Sequence, residues 1–238
     1  MNKLTENFIF SFFVSLVMVV LDAIYHLATE TAVHINYVAV KYTVIFLIVF
    51  LVAYWVGRSI TDGIFTSIAG PIIFYIYYIF ANPTLNRDVF KIDENFGYIF
   101  VHISALLIAY FVVYKIWVLK KGSAIVKNAA YAFIIALCIY GLDGAYQLSY
   151  AQFTTHNEED TARTLNFKTS IYLVALLFTL SFLSNFFIKS QNTRIAVLVV
   201  GSVIIIHLMG QNIIRSLVGI AAAFIPVYLS RYMLLENE

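Results

Sequence analysis

The sequence predicts an all-α fold: a polytopic membrane helix bundle of about eight transmembrane helices, built as two parallel repeats of four. Three observations predict it. The 238 residues are 62% hydrophobic and only 12% charged, against roughly half apolar and a quarter charged in a soluble domain. The apolar residues come in runs of about 20, the length that crosses roughly 30 Å of hydrocarbon. The end of the first run, "LDAIYHL" at Leu21–Leu27, returns as "LDGAYQL" at Leu142–Leu148.

The runs follow in order. The first, Phe8–Ala28, carries Asp22 near its end. With Lys3 ahead of it, it imitates a signal peptide. No A-x-A site follows, however, and cleavage would remove half of the matched pair. The second, Tyr37–Val56, has Lys41 near its start. The third, Ile64–Phe80, gives way to the polar loop "NPTLNRDVFKIDENFG", whose Asn82 precedes proline and is no glycosylation acceptor. The fourth, Tyr98–Val118, holds His102 close to its beginning and leads into "VLKKGSAIVK". The fifth, Ala129–Tyr150, contains Asp143 and Cys138. Cys138 is the only cysteine, so an intrachain disulfide and a C-x-x-C site are excluded and a small core residue is expected. The sixth, Ile171–Ile188, follows the second long loop, "AQFTTHNEEDTARTLNFK". The seventh, Ile195–Met209, is short, and "GQN" separates it from the eighth, Ile213–Leu234. That break, with its helix-ending glycine, leaves seven crossings plus a re-entrant segment as the alternative count.

Lysine and arginine set the orientation of such chains. With eight crossings and the N-terminus inside, Lys3, Arg58, Lys115, Lys120, Lys121, Lys127, Lys189, Arg194 and Arg231 fall inside: nine, against 15 − 9 = 6 outside. The acids lean outward, nine of 13. A multi-pass protein of the cell membrane with both termini cytoplasmic is expected.

Alignment of "FSFFVSLVMVVLDAIYHL" with "YAFIIALCIYGLDGAYQL" pairs Asp22 with Asp143 and Tyr25 with Tyr146. The next runs open alike, pairing Asn36 with Asn166 and Tyr42 with Tyr172. Polar matches in one order are the informative ones in apolar helices, and they point to an internal duplication with halves 1–121 and 122–238. A unit of four crossings is even, so both copies run the same way, as parallel repeats do.

A carboxylate within a membrane helix is costly and faces a bundle interior or water. Residues i, i+3 and i+4 share a helix face, so Asp22 lines up with Tyr25 and His26, and Asp143 with Tyr146 and Gln147. Both aspartates are expected roughly two turns, about 10 Å, from the outer helix ends. Lys41, His102, His207 and Arg215 enter from the same side. The expected binding site, between the halves, therefore comprises Asp22, Tyr25, His26, Asn36, Lys41, His102, Asp143, Tyr146, Gln147, Asn166, His207 and Arg215. The competing reading is structural: the aspartates simply pair with Lys41 and Arg215. His34 and His156 read as solvated loop residues, and tyrosines at helix ends as an interfacial belt.

The stretch from His26 through "YWVGRSITDG" resembles the hairpin of Insig-type sterol-sensing regulators, which pairs an outer-end histidine with an inner-end aromatic–Arg–Ser stretch. The resemblance implies a lipid- or partner-binding scaffold and transfers no site residue. Three functional classes are thus in view. The first is binding or transport of a proton, cation or small polar solute, which carboxylate and imidazole suit. The second is the scaffold. The third, ranked last, is an intramembrane enzyme acting on a lipid or isoprenoid. The lipid bilayer is the one partner the sequence requires; it names no cofactor, metal or oligomeric state. Scattered basic residues argue against nucleic acid, and no phosphate loop, nucleophile elbow or H-E-x-x-H is present.

Overall fold

A computed structural model of the chain describes residues 2–29, 33–81, 92–117, 124–155, 165–210 and 212–234. Glu30, Lys120, Lys121 and His156, together with most of both long polar loops, lie outside these residues. Among the described residues there are eight helices: α1 (Lys3–Ala28), α2 (Ile35–Trp55), α3 (Ile60–Ala81), α4 (Ile92–Trp117), α5 (Ala124–Thr155), α6 (Phe167–Phe187), α7 (Gln191–Gly210) and α8 (Ile213–Leu234). All eight are long and apolar enough to cross a membrane. A helix satisfies its own backbone N–H and C=O groups, which hydrocarbon cannot do. Eight such helices fit a multi-pass integral membrane protein.

Most helices extend a turn or so beyond their apolar runs, and two of these extensions matter. The short seventh run belongs to a 20-residue helix, because the polar residues Gln191–Arg194 form its first turn and bring it to membrane length. α5 continues past Tyr150 to Thr155. In that last stretch the Thr154 hydroxyl bonds the Tyr150 carbonyl at 2.9 Å, so a polar residue is accommodated without ending the helix. Asp143 therefore lies 155 − 143 = 12 residues from the end of α5, more than the expected two turns because the helix itself is longer, whereas Asp22 lies 28 − 22 = 6 from the end of α1.

The chain divides into two compact units, one formed by Met1–Asp22 with Ala39–Tyr114, the other by Ala23–Val38 with Lys115–Glu238. In the first, Phe10 of α1 meets Tyr110 of α4 edge-on, with ring centroids 5.2 Å apart. Gly63 of α3 lies against the Tyr110 ring, and Gly70 admits Leu106 and Ile45. These glycines let α3 approach its neighbours closely, the usual device where helices pack in lipid. The α2–α3 turn depends on Gly57, whose φ of 149° suits only glycine comfortably. A reciprocal cap starts α3: the Ser59 N–H donates to Asp62 Oδ2 (2.8 Å) and the Asp62 N–H to Ser59 Oγ (3.1 Å). Arg58 ties the turn back to Glu6 of α1 at 2.9 Å.

In the second unit α5 packs on α6, α6 on α7, α7 on α8 and α8 on α5, closing a ring of four. Buried hydroxyl bonds pin α5 to its neighbours: Tyr140 donates to Ser170 of α6 (2.7 Å), and Tyr131 lies 2.9 Å from Ser230 Oγ of α8. Arg194 closes the α6–α7 turn by donating to the Ile188 carbonyl and to Asn185, which in turn donates to Asn128 of α5.

Gly63→Ala should drive a methyl group into the Tyr110 ring and cost about 1–3 kcal/mol, the usual range for overpacking. A Cβ at Gly97 meets nothing within 4 Å. Thermal melts of the purified protein in detergent should therefore show a lower Tm for Gly63→Ala and none of that loss for Gly97→Ala. Equal melting of the two variants would refute the close α3–α4 approach.

Candidate functional site

Every helix of the first unit contributes one side chain to a buried polar cluster. α1 supplies Asp22, α2 Lys41, α4 His102 and α3 Tyr75. Asp22, Lys41 and His102 are 3%, 1% and 1% exposed. Lys41 Nζ donates to Asp22 Oδ2 at 2.5 Å. His102 Nε2 lies 2.5 Å from Asp22 Oδ1 and 2.7 Å from Lys41 Nζ. On the other side of the imidazole, Nδ1 lies 2.8 Å from the Tyr75 hydroxyl. The Phe74 ring, 5.5 Å from Lys41 Nζ, forms an apolar and weakly cation-attracting wall.

This geometry poses a proton question. An imidazole nitrogen either donates or accepts, never both, yet Nε2 faces a carboxylate oxygen and an amine nitrogen together. If Nε2 is bare, it accepts from the Lys41 ammonium, and Nδ1–H donates to Tyr75. If Nε2 carries the proton, it turns to Asp22, and Lys41 faces a like donor unless it gives up a proton of its own. One proton thus has two homes less than 3 Å apart, next to a carboxylate that favours either cation. The Tyr75 hydroxyl, which both donates and accepts, follows either tautomer.

The second unit answers Asp143 differently. Arg215 of α8 grips it with two parallel bonds, Nε to Oδ1 at 3.0 Å and Nη2 to Oδ2 at 2.6 Å. Gln147, one turn along α5, adds a third bond to Oδ2 at 2.8 Å. Gly210 leaves room for this arginine, since a Cβ there would fall on its guanidinium. Asn212 caps α8 through the backbone N–H groups of Ile214 (2.9 Å) and Arg215 (3.3 Å), which fixes the start of the helix that presents the arginine. A bidentate guanidinium–carboxylate pair is strong and directional, and neither a guanidinium nor an amide exchanges protons readily.

Asn166 is the N-cap of α6, accepting from the N–H groups of Lys168 (3.0 Å) and Thr169 (3.4 Å). Asn36 is exposed, at the second position of α2. His207 is exposed and bonds Ser216 at 2.8 Å, away from the Asp143 group. Tyr146 packs on Tyr150, with centroids 6.0 Å apart. Tyr25 and His26 lie in the last turn of α1 with ring centroids 5.9 Å apart. Tyr75 was missed: one of 17 tyrosines in the chain, in the aromatic stretch "FYIYYIF", it carries no signal of its own. The comparisons add no relative: no model of a known protein family, no curated protein and no solved structure matches this chain.

Proposed function

We propose that this chain is a proton-linked membrane binding or transport protein for a small polar solute or cation, with Asp22, Lys41, His102 and Tyr75 as its proton-holding group. One observation carries the reading: a single imidazole nitrogen within reach of both a buried carboxylate and a buried amine. Groups of this kind in membrane helices mark proton relays and ion paths. Adding or removing one proton changes which of the three side chains are held together, so occupancy by a solute and occupancy by a proton become linked. The Asp143–Arg215–Gln147 group has the opposite character and serves as a staple.

A Tm-versus-pH series across about pH 5 to 8, where imidazole normally titrates, separates the two groups. The wild-type Tm should vary with pH, and His102→Gln and Asp22→Asn should flatten that variation while still yielding folded protein, Asp22→Asn at a lower Tm because it leaves the buried Lys41 without its carboxylate. Asp143→Asn should instead lower Tm at every pH and leave its pH dependence intact, because it leaves the part-buried Arg215 without its carboxylate at a cost of about 1–3 kcal/mol. A His102→Gln curve parallel to the wild type would sink the relay and leave both clusters structural.

The reading includes an arrangement in the cell membrane with both termini cytoplasmic, supported by the nine-to-six bias of basic residues. In a Cys138→Ala background, impermeant thiol label applied to intact cells should modify His34→Cys and miss Ser190→Cys; the reverse pattern would invert the topology.

We also infer descent of the halves 1–121 and 122–238 from one unit. Asn7 and Asn128 share the spacing of Asp22 and Asp143, since 128 − 7 = 143 − 22 = 121, which adds a polar match near the other end of α1 and α5. A structure determined in lipid should superpose residues 8–118 on 129–234 by rotation about an axis near the membrane normal. Placement of the two aspartates at different depths in that superposition would overturn the duplication.

A further inference from the structure

The polar residues of α1 are not scattered. At about 100° per residue, Asn7, Ser11, Ser15, Met18 and Asp22 fall within an arc of about 80° around the helix. They are the only residues between 7 and 22 within that arc, and four of the five are polar. The 16 − 5 = 11 residues outside it are phenylalanine, isoleucine, leucine or valine without exception. The whole arc is buried: Asn7 is 1% exposed, Ser11 and Ser15 0%, Met18 1% and Asp22 3%.

Two members of this arc have polar atoms that no described residue answers. Ser11 donates to the Asn7 carbonyl at 2.7 Å. Neither the Asn7 side-chain oxygen nor its nitrogen has a hydrogen-bond partner among the described residues, and neither does Ser15 Oγ. A serine hydroxyl can often turn back to its own helix. An amide in the second turn of α1, with both a donor and an acceptor to satisfy, has no such recourse. Left dry, it would cost on the order of 1–3 kcal/mol, and polar sites of this kind in proteins take up ordered water.

We propose that the Asn7–Ser11–Ser15 face of α1 lines a chain of water molecules running from the Lys3 end of the helix toward Asp22, and that Met18 is its dry boundary. The ligand is water and, through it, the proton: each water accepts one proton and releases another, so no residue is consumed. Asn7 to Ser15 covers about 12 Å of helix rise, and Ser15 to Asp22 a further ~10 Å, in which Met18 is the arc's one apolar residue. Methionine, unbranched and with three rotatable side-chain bonds, is well suited to occupy such a point and to move from it. The inference rests on the proton-linked reading for what the water carries, though not for the presence of water.

Thiol reactivity tests it, because a thiol reacts as its thiolate, which forms in water and not in an apolar core. In a Cys138→Ala background, the purified full-length protein in lipid nanodiscs is treated with a small charged methanethiosulfonate. Ser15→Cys and Ser11→Cys should each be modified at least about tenfold faster than Val17→Cys, which lies at similar depth and off the arc. Adding Asn7→Leu to Ser15→Cys should slow the modification by blocking the entrance. Equal rates at positions 15, 11 and 17 would overturn the proposal, and the rate at Ser11→Cys against Val17→Cys is decisive alone if Ser15→Cys does not fold. The outcome is separable from the His102 experiment: fast labelling with an unchanged His102→Gln pH response keeps the water path and rejects the relay. Slow labelling with a flattened response rejects the path alone.

Discussion

The first unit is organised around one constraint: a carboxylate cannot stay ionised among apolar helices without a cation at contact distance. Asp22 meets that demand through Lys41 and His102, and the demand explains more than the ion pair. It accounts for a lysine that is 1% exposed in the otherwise apolar α2 and for a polar residue at the same level of α4. Tyr75 extends the requirement to α3 by giving the far nitrogen of the imidazole a partner. Four helices are thus held in register by a network in which no member can be dropped without stranding another, and the aromatic and glycine packing elsewhere in the unit brings those helices close enough for it.

The two aspartates began as look-alikes in sequence and end as opposites in chemistry. Asp143 receives three bonds from groups that keep their protons. Asp22 lies against an amine and an imidazole instead. The position that holds histidine in "LDAIYHL" holds glutamine in "LDGAYQL", and the cation changes from lysine to arginine. The two look-alike stretches thus hold their aspartates by different means, one by an amine beside an imidazole and one by a guanidinium and an amide.

Much of the fold was legible because transmembrane length and apolar composition are properties of single segments. All eight runs correspond to helices, and the "GQN" break separates α7 from α8. The errors fell at the ends, where Gln191–Arg194 and Ala151–Thr155 are polar and helical at once, so hydropathy misjudges them. Within the site, Lys41 and Arg215 stood out as rare charges in apolar runs, and the structure sets each beside an aspartate. Asn166 and His207 looked equally distinctive and turned out to cap a helix and to bond a neighbouring serine. Sequence reports which residues are costly to bury, not which neighbour relieves the cost. Tyr75 shows the limit from the other side, since a residue that is cheap to place draws no attention.

The spacing of each ion pair along the chain has a consequence for how the protein is made. Lys41 follows Asp22 by 19 residues, so the acid and its base flank a single helical hairpin. They can pair as soon as both helices of that hairpin have been made. Arg215 follows Asp143 by 72 residues and belongs to α8, the last of the described helices. Until α8 is made, Asp143 has only the neutral Gln147 on its own helix for company. The Asp143 group is therefore a late contact and the Asp22–Lys41 pair an early one, so the two units settle their buried acids at different stages of synthesis.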